Sequence, residues 1–201
     1  MTIETGSQVS TSARSMRRAS PGFEGEPGHG RSGSVGLSPG ARSDERLGHG
    51  TLSPARLGQI VREIAAAEQS WQSIVRFSAE RRWYRRLVLA DDHEIWLLSW
   101  LPGQHTGFHD HGEARGAFAV AQGELQESLA RPGRSRVRNR CAPTGSVTTF
   151  GGQHLHDVSN ATAVPAISVH AYSPSLTAMR RYEMTAAGLV LAGTDHAELD
   201  W

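Results

Sequence analysis

Two pairs of histidines are the residues of this chain best suited to bind a metal ion. His109 and His111 lie two positions apart after a glycine-containing approach, and His154 and His156 form a second pair downstream. Side chains two positions apart in a β-strand point to the same side of a sheet, so both members of a pair can contact one ion. A third histidine from the other segment would complete a three-ligand site.

A lone His-x-His on a strand is more often a polar pair that faces solvent, but the flanking residues favour a metal site here. Gly103 lies six residues before His109, Gly116 five after His111, Gly123 seven after Gly116, and Asn160 four after His156. These spacings resemble the two metal-binding motifs of the cupin family. The first of those motifs has an acid at the position that Gly116 occupies.

The chain between these motifs has the pattern of a β protein. Short apolar runs separated by turn residues predict strands. They cover residues 87–89, 94–100, 117–122, 125–130, 137–141, 146–150, 156–159, 166–172 and 179–184. Many short antiparallel strands favour a closed or nearly closed jelly-roll barrel, the double-stranded β-helix of cupins.

One or two helices precede the strands. Ser53 is a good helix N-cap, and Pro54 suits the first turn. The apolar residues Leu57, Val61 and Ile64 then follow a helical period, which predicts an amphipathic helix with one face on the core. A shorter helical segment is predicted over residues 71–77.

A third polar set alternates along a predicted strand. Ser168, His170 and Tyr172 share one side, and apolar residues occupy the other. The strand alone leaves two interpretations open, a solvent-facing side or one that points into the barrel. Buried together, these groups would need hydrogen-bond partners.

Composition limits the classes of function. The 201 residues have a formal charge of +1, which indicates no nucleic-acid partner. The longest apolar stretch is far shorter than the roughly 20 residues of a membrane helix. The single cysteine, Cys141, cannot form an internal disulfide, so we expect a buried thiol and a cytoplasmic protein.

The chain divides into two parts. Residues 1–50 are dominated by Gly, Ser, Pro and Arg, and we expect them to be a disordered extension because they bury too little apolar surface. Residues 51–201 form the predicted cupin domain.

Together these motifs resemble the cysteine dioxygenase family of thiol dioxygenases, over roughly residues 54–184. The resemblance implies iron(II) held by three histidines, a Ser-His-Tyr set near the oxygen site, and an arginine that holds the substrate carboxylate. The matching residues are His109, His111 and His156 for the metal, Ser168, His170 and Tyr172 for catalysis, and Arg86 for the substrate.

The match leaves two assignments open and contains one departure. His154 and His156 share a side, and a one-residue shift of register would exchange Arg85 and Arg86. Some family members have a cysteine that cross-links to the catalytic tyrosine, and that position is Gly116 here. The chain therefore resembles the bacterial subset with glycine at this place.

We expect this chain to add both atoms of O2 to the thiol of L-cysteine, giving cysteine sulfinic acid, and to act as a monomer. Some related enzymes have glutamine in place of the arginine, so Arg86 favours cysteine over 3-mercaptopropionate. Another small-thiol dioxygenase is the first alternative. A non-catalytic cupin that binds a metal or a small ligand is the second.

Overall fold

The structure, a computed structural model, describes residues 50–197. The expectation of disorder for residues 1–50 falls outside this range except at Gly50. A single α-helix, α1 (Pro54–Ala66), and a 3-10 helix (Glu68–Ser70) precede the strands in the described part. The strands are β1 (Tyr84–Leu89), β2 (Glu94–Trp100), β3 (His109–Asp110), β4 (Arg115–Gln122), β5 (Glu124–Leu129), β6 (Arg138–Pro143), β7 (Val147–Phe150), β8 (His156–Ser159), β9 (Ala166–Ser173), β10 (Ala178–Thr185) and β11 (Gly188–His196).

The strands form two antiparallel sheets, so the predicted mainly β architecture is confirmed. The five-stranded sheet has the order β1-β2-β9-β4-β7, and the six-stranded sheet has the order β11-β10-β3-β8-β5-β6. Neighbours in these orders are often distant in the chain, as expected for a double-stranded β-helix. The two histidine segments, β3 and β8, lie side by side in the middle of the larger sheet.

Alternation along the five-stranded sheet produces two separate apolar layers. Trp96, Leu98 and Trp100 point between the sheets and pack with residues of both. Ile95 and Leu97 point to the opposite side, where they belong to a second apolar cluster with Leu57 and Val61 of α1 and with Trp71. The central strands of the smaller sheet, β2, β9 and β4, are therefore buried on both faces, and their inner face is available to line a site.

The predicted amphipathic helix is confirmed, including its start. The Ser53 hydroxyl accepts a hydrogen bond from the backbone N–H of Arg56 at 3.2 Å, as an N-cap does. The second predicted helix, over residues 71–77, is wrong. The chain turns there because the buried Trp71 indole donates to the carbonyl of Ile64, at 3.0 Å, and ties the segment back to α1.

Strand β11 was missed by the sequence pattern. It pairs with β10 through a tight turn that ends at Gly188, where φ is +98°. A Cβ at Gly188 would lie 2.8 Å from the backbone of Arg134, so the turn needs glycine both for its conformation and for this close approach.

The burial predicted for Cys141 is wrong, because its side chain is exposed. It lies in β6, which is an edge strand of the larger sheet. Within residues 50–197 no helix has the length and apolar character that crossing a membrane requires.

Candidate metal centre

Three histidines converge between the sheets. His109 in β3 lies directly opposite His156 in β8, and His111 follows β3 on the same side as His109. All three are buried, and their ring centroids are 4.7 Å (109 to 111), 4.8 Å (109 to 156) and 5.3 Å (111 to 156) apart. Two strands thus bring together side chains that are nearly fifty positions apart in the chain.

The donor atoms of this triad are close enough for one metal ion. One ring nitrogen from each histidine lies within 4.8 Å of the others. Among residues 50–197 neither ring nitrogen of His111 has a hydrogen-bond partner, although both are buried. Buried polar atoms normally have partners, and an ion bound by imidazole would supply one. The residues therefore fit a metal centre.

Hydrogen bonds at Nδ1 fix the orientation of two of the three rings. The Nδ1 of His109 lies 2.8 Å from the carbonyl oxygen of Gly107, and that of His156 lies 2.7 Å from Oε1 of Glu127. Both partners can only accept, so each Nδ1 holds the proton. The unprotonated Nε2 of each ring is then left to bind a metal.

The triad is neutral, which is the state that binds metals. Burial lowers the pKa of His109 and of His111 well below the ordinary value, and the neighbouring imidazoles lower both pKa values further. Burial also lowers the pKa of His156, although its hydrogen bond to Glu127 opposes the shift.

Asp110 anchors the segment between His109 and His111. Its carboxylate accepts from the Arg180 guanidinium at 2.9 Å, the Tyr182 hydroxyl at 2.7 Å and the N–H of Gly112 at 2.9 Å. The strand alternation puts these bonds on the side away from the histidines. They hold β3 against β10, although β3 is only two residues long.

Glu127 in β5 was missed by the sequence analysis. It is fully buried and accepts hydrogen bonds from His154 and His156. Burial alone would raise the pKa of Glu127, but these two bonds and the nearby Arg140 outweigh it and bring the pKa well below the usual range. The sequence did contain a signal for Glu127, because this acid shares one side of a predicted strand with the apolar residues Leu125 and Leu129.

The two candidates for the third ligand occupy different places. His156 faces His109 and His111, whereas His154 stacks on Phe150 with centroids 4.7 Å apart and donates to Glu127. A second group, formed by Glu127, His154 and His156, also has donor atoms within 4.8 Å. The two groups share His156.

The polar side of β9 points into the barrel. Trp100 donates its indole N–H to the Ser168 hydroxyl at 2.8 Å, and this hydroxyl lies 2.9 Å from Nε2 of His170. The Nδ1 of His170 lies 3.4 Å from the hydroxyl of Tyr172, whose ring centroid is 4.8 Å from that of His111. A hydrogen-bonded line thus leads from the core to the edge of the triad.

The two titratable groups of this line are neutral. Burial lowers the pKa of His170 to about 3, and Arg82 contributes. Burial raises the pKa of Tyr172, as does the nearby carboxylate of Glu94. Tyr172 therefore keeps its proton and can donate a hydrogen bond.

Phe150 fills the space beside Gly116. A Cβ at Gly116 would lie 2.4 Å from the Phe150 ring and 3.1 Å from the Tyr172 ring. Phe150 also stacks on His111, with centroids 5.3 Å apart. Its ring takes the room that a side chain at 116 would need, a relation that spacing alone did not indicate.

The register of β1 separates the two neighbouring arginines. Arg86 lies opposite Trp96, which points between the sheets, and Arg85 lies opposite Leu97, which points towards α1. The Arg86 side chain is 44% exposed and its Nη1 is 3.8 Å from Oε2 of Glu94. Arg86 thus lies at the rim of the barrel.

A second arginine lies deeper. The guanidinium of Arg82 lies over the Trp100 ring at 4.7 Å, and its Nη1 donates to the carbonyl of His105 at 3.2 Å. Burial lowers the pKa of Arg82 to about 10, and repulsion from Arg181 adds to the shift. Arg82 precedes its strand, so strand periodicity did not single it out.

Sequence comparisons match most of the described part of the chain. The family described as cysteine dioxygenase type I matches residues 56–185. A cysteine dioxygenase type 1 from Danio rerio is 26% identical over 144 residues, which cover 66% of this chain and 71% of that protein.

Solved structures are similar over part of the chain. One is a protein with a double-stranded β-helix domain from Klebsiella pneumoniae, with 20% identity, coverage of 61% of this chain and 93% of that chain, and a TM-score of 0.44. Another is an RmlC-like cupin from Desulfovibrio desulfuricans, with 20% identity, coverage of 51% and 91%, and a TM-score of 0.45.

Replacing His156 and replacing His154 should have different effects on metal binding. His156→Ala removes a triad ligand, so we expect the purified protein to lose its metal and the stabilisation that metal binding provides. His154→Ala leaves the triad intact and should retain the metal. Metal content per chain and the thermal shift on adding metal test this. Retention by His156→Ala with loss in His154→Ala would show that the third ligand is misassigned.

The packing of Phe150 predicts that Gly116→Cys destabilises the protein. The new side chain would overlap the ring, and overpacking of a core typically costs about 1–3 kcal/mol. Denaturant unfolding measures the loss. The double variant Gly116→Cys/Phe150→Ala should lose less stability than Phe150→Ala and Gly116→Cys lose in sum, because the smaller residue removes the overlap. Strict additivity would contradict the steric explanation.

Proposed function

Because the chain belongs to the cysteine dioxygenase type I family, we propose that it is an iron(II)-dependent dioxygenase that converts L-cysteine into cysteine sulfinic acid. The observation that supports this most is the group of three buried, neutral histidines without a carboxylate among them. Thiol and dioxygen combine without another reductant, since sulfur loses the electrons that dioxygen gains. We further propose that the enzyme is a cytoplasmic monomer.

The ligand set suits a thiol substrate. A bound ferrous ion supplies the redox-active centre at which a thiolate and dioxygen react. His109, His111 and His156 would hold it, and three neutral imidazoles add no negative charge to the site. Such a site favours an anionic ligand, which a thiol becomes when it loses its proton.

Tyr172 is the proposed hydrogen-bond donor of the site. The Trp100 indole can only donate, so the Ser168 oxygen accepts from it and the Ser168 hydroxyl proton is directed to Nε2 of His170. The Nδ1–H of His170 then faces the Tyr172 oxygen. This arrangement leaves the Tyr172 proton available to a substrate oxygen beside His111.

Arg86 is the proposed carboxylate-binding residue. It lies on the barrel side of β1, and its present partner, Glu94, lies directly opposite Tyr172 in β2–β9 pairing. An incoming carboxylate can replace Glu94 as the partner of the exposed guanidinium and form two parallel hydrogen bonds with it.

A substrate such as 3-mercaptopropionate is the second candidate. It has the thiol and the carboxylate, which are the two groups that the proposed roles of the triad and Arg86 recognise. It lacks only the amine, for which no residue is assigned. A non-catalytic cupin would bind metal at the same triad without turnover.

Oxygen uptake by the iron-loaded protein tests the proposal. We expect iron-dependent uptake with L-cysteine, one O2 per sulfinic acid formed, and a larger kcat/KM than with 3-mercaptopropionate. The product is identified by mass spectrometry. A larger kcat/KM with 3-mercaptopropionate would assign the second substrate, and iron binding without any uptake would point to the non-catalytic cupin.

The substitution Arg86→Gln tests the carboxylate site. A charged hydrogen bond is worth about 1.5–3 kcal/mol, so we expect kcat/KM for cysteine to fall about 10- to 150-fold, mostly through KM. Arg85→Gln is the matched control, because Arg85 is the neighbouring residue on the opposite side of the strand. Equal effects of the two changes would exclude a specific role for Arg86, and Arg82→Gln would then be measured in the same way.

A further inference from the structure

Glu127 is a buried acid that is held by residues from both neighbouring strands. It lies in β5, between β6 and β8, and has no exposed surface. Oε2 accepts from Nε of Arg140 in β6 at 2.5 Å, and Oε1 accepts from Nδ1 of His156 in β8 at 2.7 Å. Oε1 also accepts from Nε2 of His154 at 2.9 Å. Three donors therefore fix both oxygens of this carboxylate.

The bond to His156 selects one form of that ring. A carboxylate accepts and does not donate, so the proton of neutral His156 lies on Nδ1 and the lone pair on Nε2. The cross-strand pairing then directs Nε2 towards His109. Without the acceptor, both tautomers and other ring orientations become accessible, and only one of them completes the triad.

We infer that Glu127 is a positioning residue for the metal centre, which holds His156 in the tautomer and orientation that the third ligand needs. The inference rests on the proposed function of the triad. A carboxylate that accepts a hydrogen bond from Nδ1 of a metal-binding histidine also makes its Nε2 a stronger metal ligand. Arg140 and His154 also bind the carboxylate and keep it in place from outside the triad.

The same atoms suggest a competing explanation, in which Glu127, His154 and His156 form a second cation site. Their donor atoms lie within 4.8 Å. However, a cation there would displace the proton of His156 and lie beside the guanidinium of Arg140, which already binds the carboxylate. The hydrogen bonds satisfy all three groups, so the positioning role is favoured.

The substitution Glu127→Gln is the direct test. An amide has the shape of the carboxylate but lacks its charge and can present an N–H to His156. We expect iron(II) affinity, measured by competition with a chromophoric chelator, to fall about 10- to 100-fold. Glu124→Gln makes the same change on the other side of β5, where Glu124 contacts Cys141, and should alter affinity less than about twofold.

A readout of the metal-free protein separates positioning from mere structural support. Long-range 1H–15N spectra should show His156 with its proton on Nδ1 in the natural protein and a mixture of tautomers in Glu127→Gln. An unchanged tautomer and unchanged affinity in a folded variant would overturn the inference. So would two metal ions per natural chain with only one in the variant, because that result assigns the second cation site.

A second variant covers the case in which Glu127→Gln does not fold. Arg140 is 46% exposed, so Arg140→Gln leaves the core unchanged and only loosens the carboxylate. We expect a loss of iron affinity of about threefold, since both histidine donors remain, and no loss would overturn the inference. Failure of the proposed function is distinct, because the natural protein itself would then fail to bind iron or to consume oxygen with either thiol.

Discussion

The direct pairing of His109 with His156 across β3 and β8 is the constraint on which the site depends. Residues opposite each other in an antiparallel ladder have their side chains on one side and close together. This single pair fixes two of the candidate ligands, and the two-residue spacing to His111 adds the third. Strand β3 is short, so its position depends on neighbours on both sides: β8 on one edge and β10 on the other, with Asp110 bound by Arg180 and Tyr182.

The carboxylate of Glu127 lies behind the His156 ring, on the side away from the proposed ion. The three histidines are neutral, and the buried acid Glu127 contacts His156 at Nδ1, the ring nitrogen that faces away from the other two histidines. The charge of Glu127 is balanced by Arg140, so it strengthens the histidine as a donor without neutralising the site. In the proposed function, this separation leaves the positive charge of the ion available to an anionic substrate.

Period-two alternation predicted much of the architecture from the sequence. It indicated most of the strands, the shared side of His109 and His111, and the common side of Ser168, His170 and Tyr172. It could not choose between His154 and His156, or between Arg85 and Arg86, because those choices depend on which strands pair and in what register. Contacts across the barrel, such as that of Glu127 with His156, join residues far apart in sequence and follow from no local pattern.

The close fit of Phe150 against Gly116 restricts the order in which this site can change during evolution. A lineage that gained a cysteine beside the tyrosine would first need a smaller residue at position 150, because the reverse order passes through an overpacked core. Phe150 also stacks on His111 and His154, so a smaller residue at 150 removes a stacking partner from two imidazoles. Both single steps are unfavourable, and glycine at 116 is thereby retained as long as the aromatic ring is.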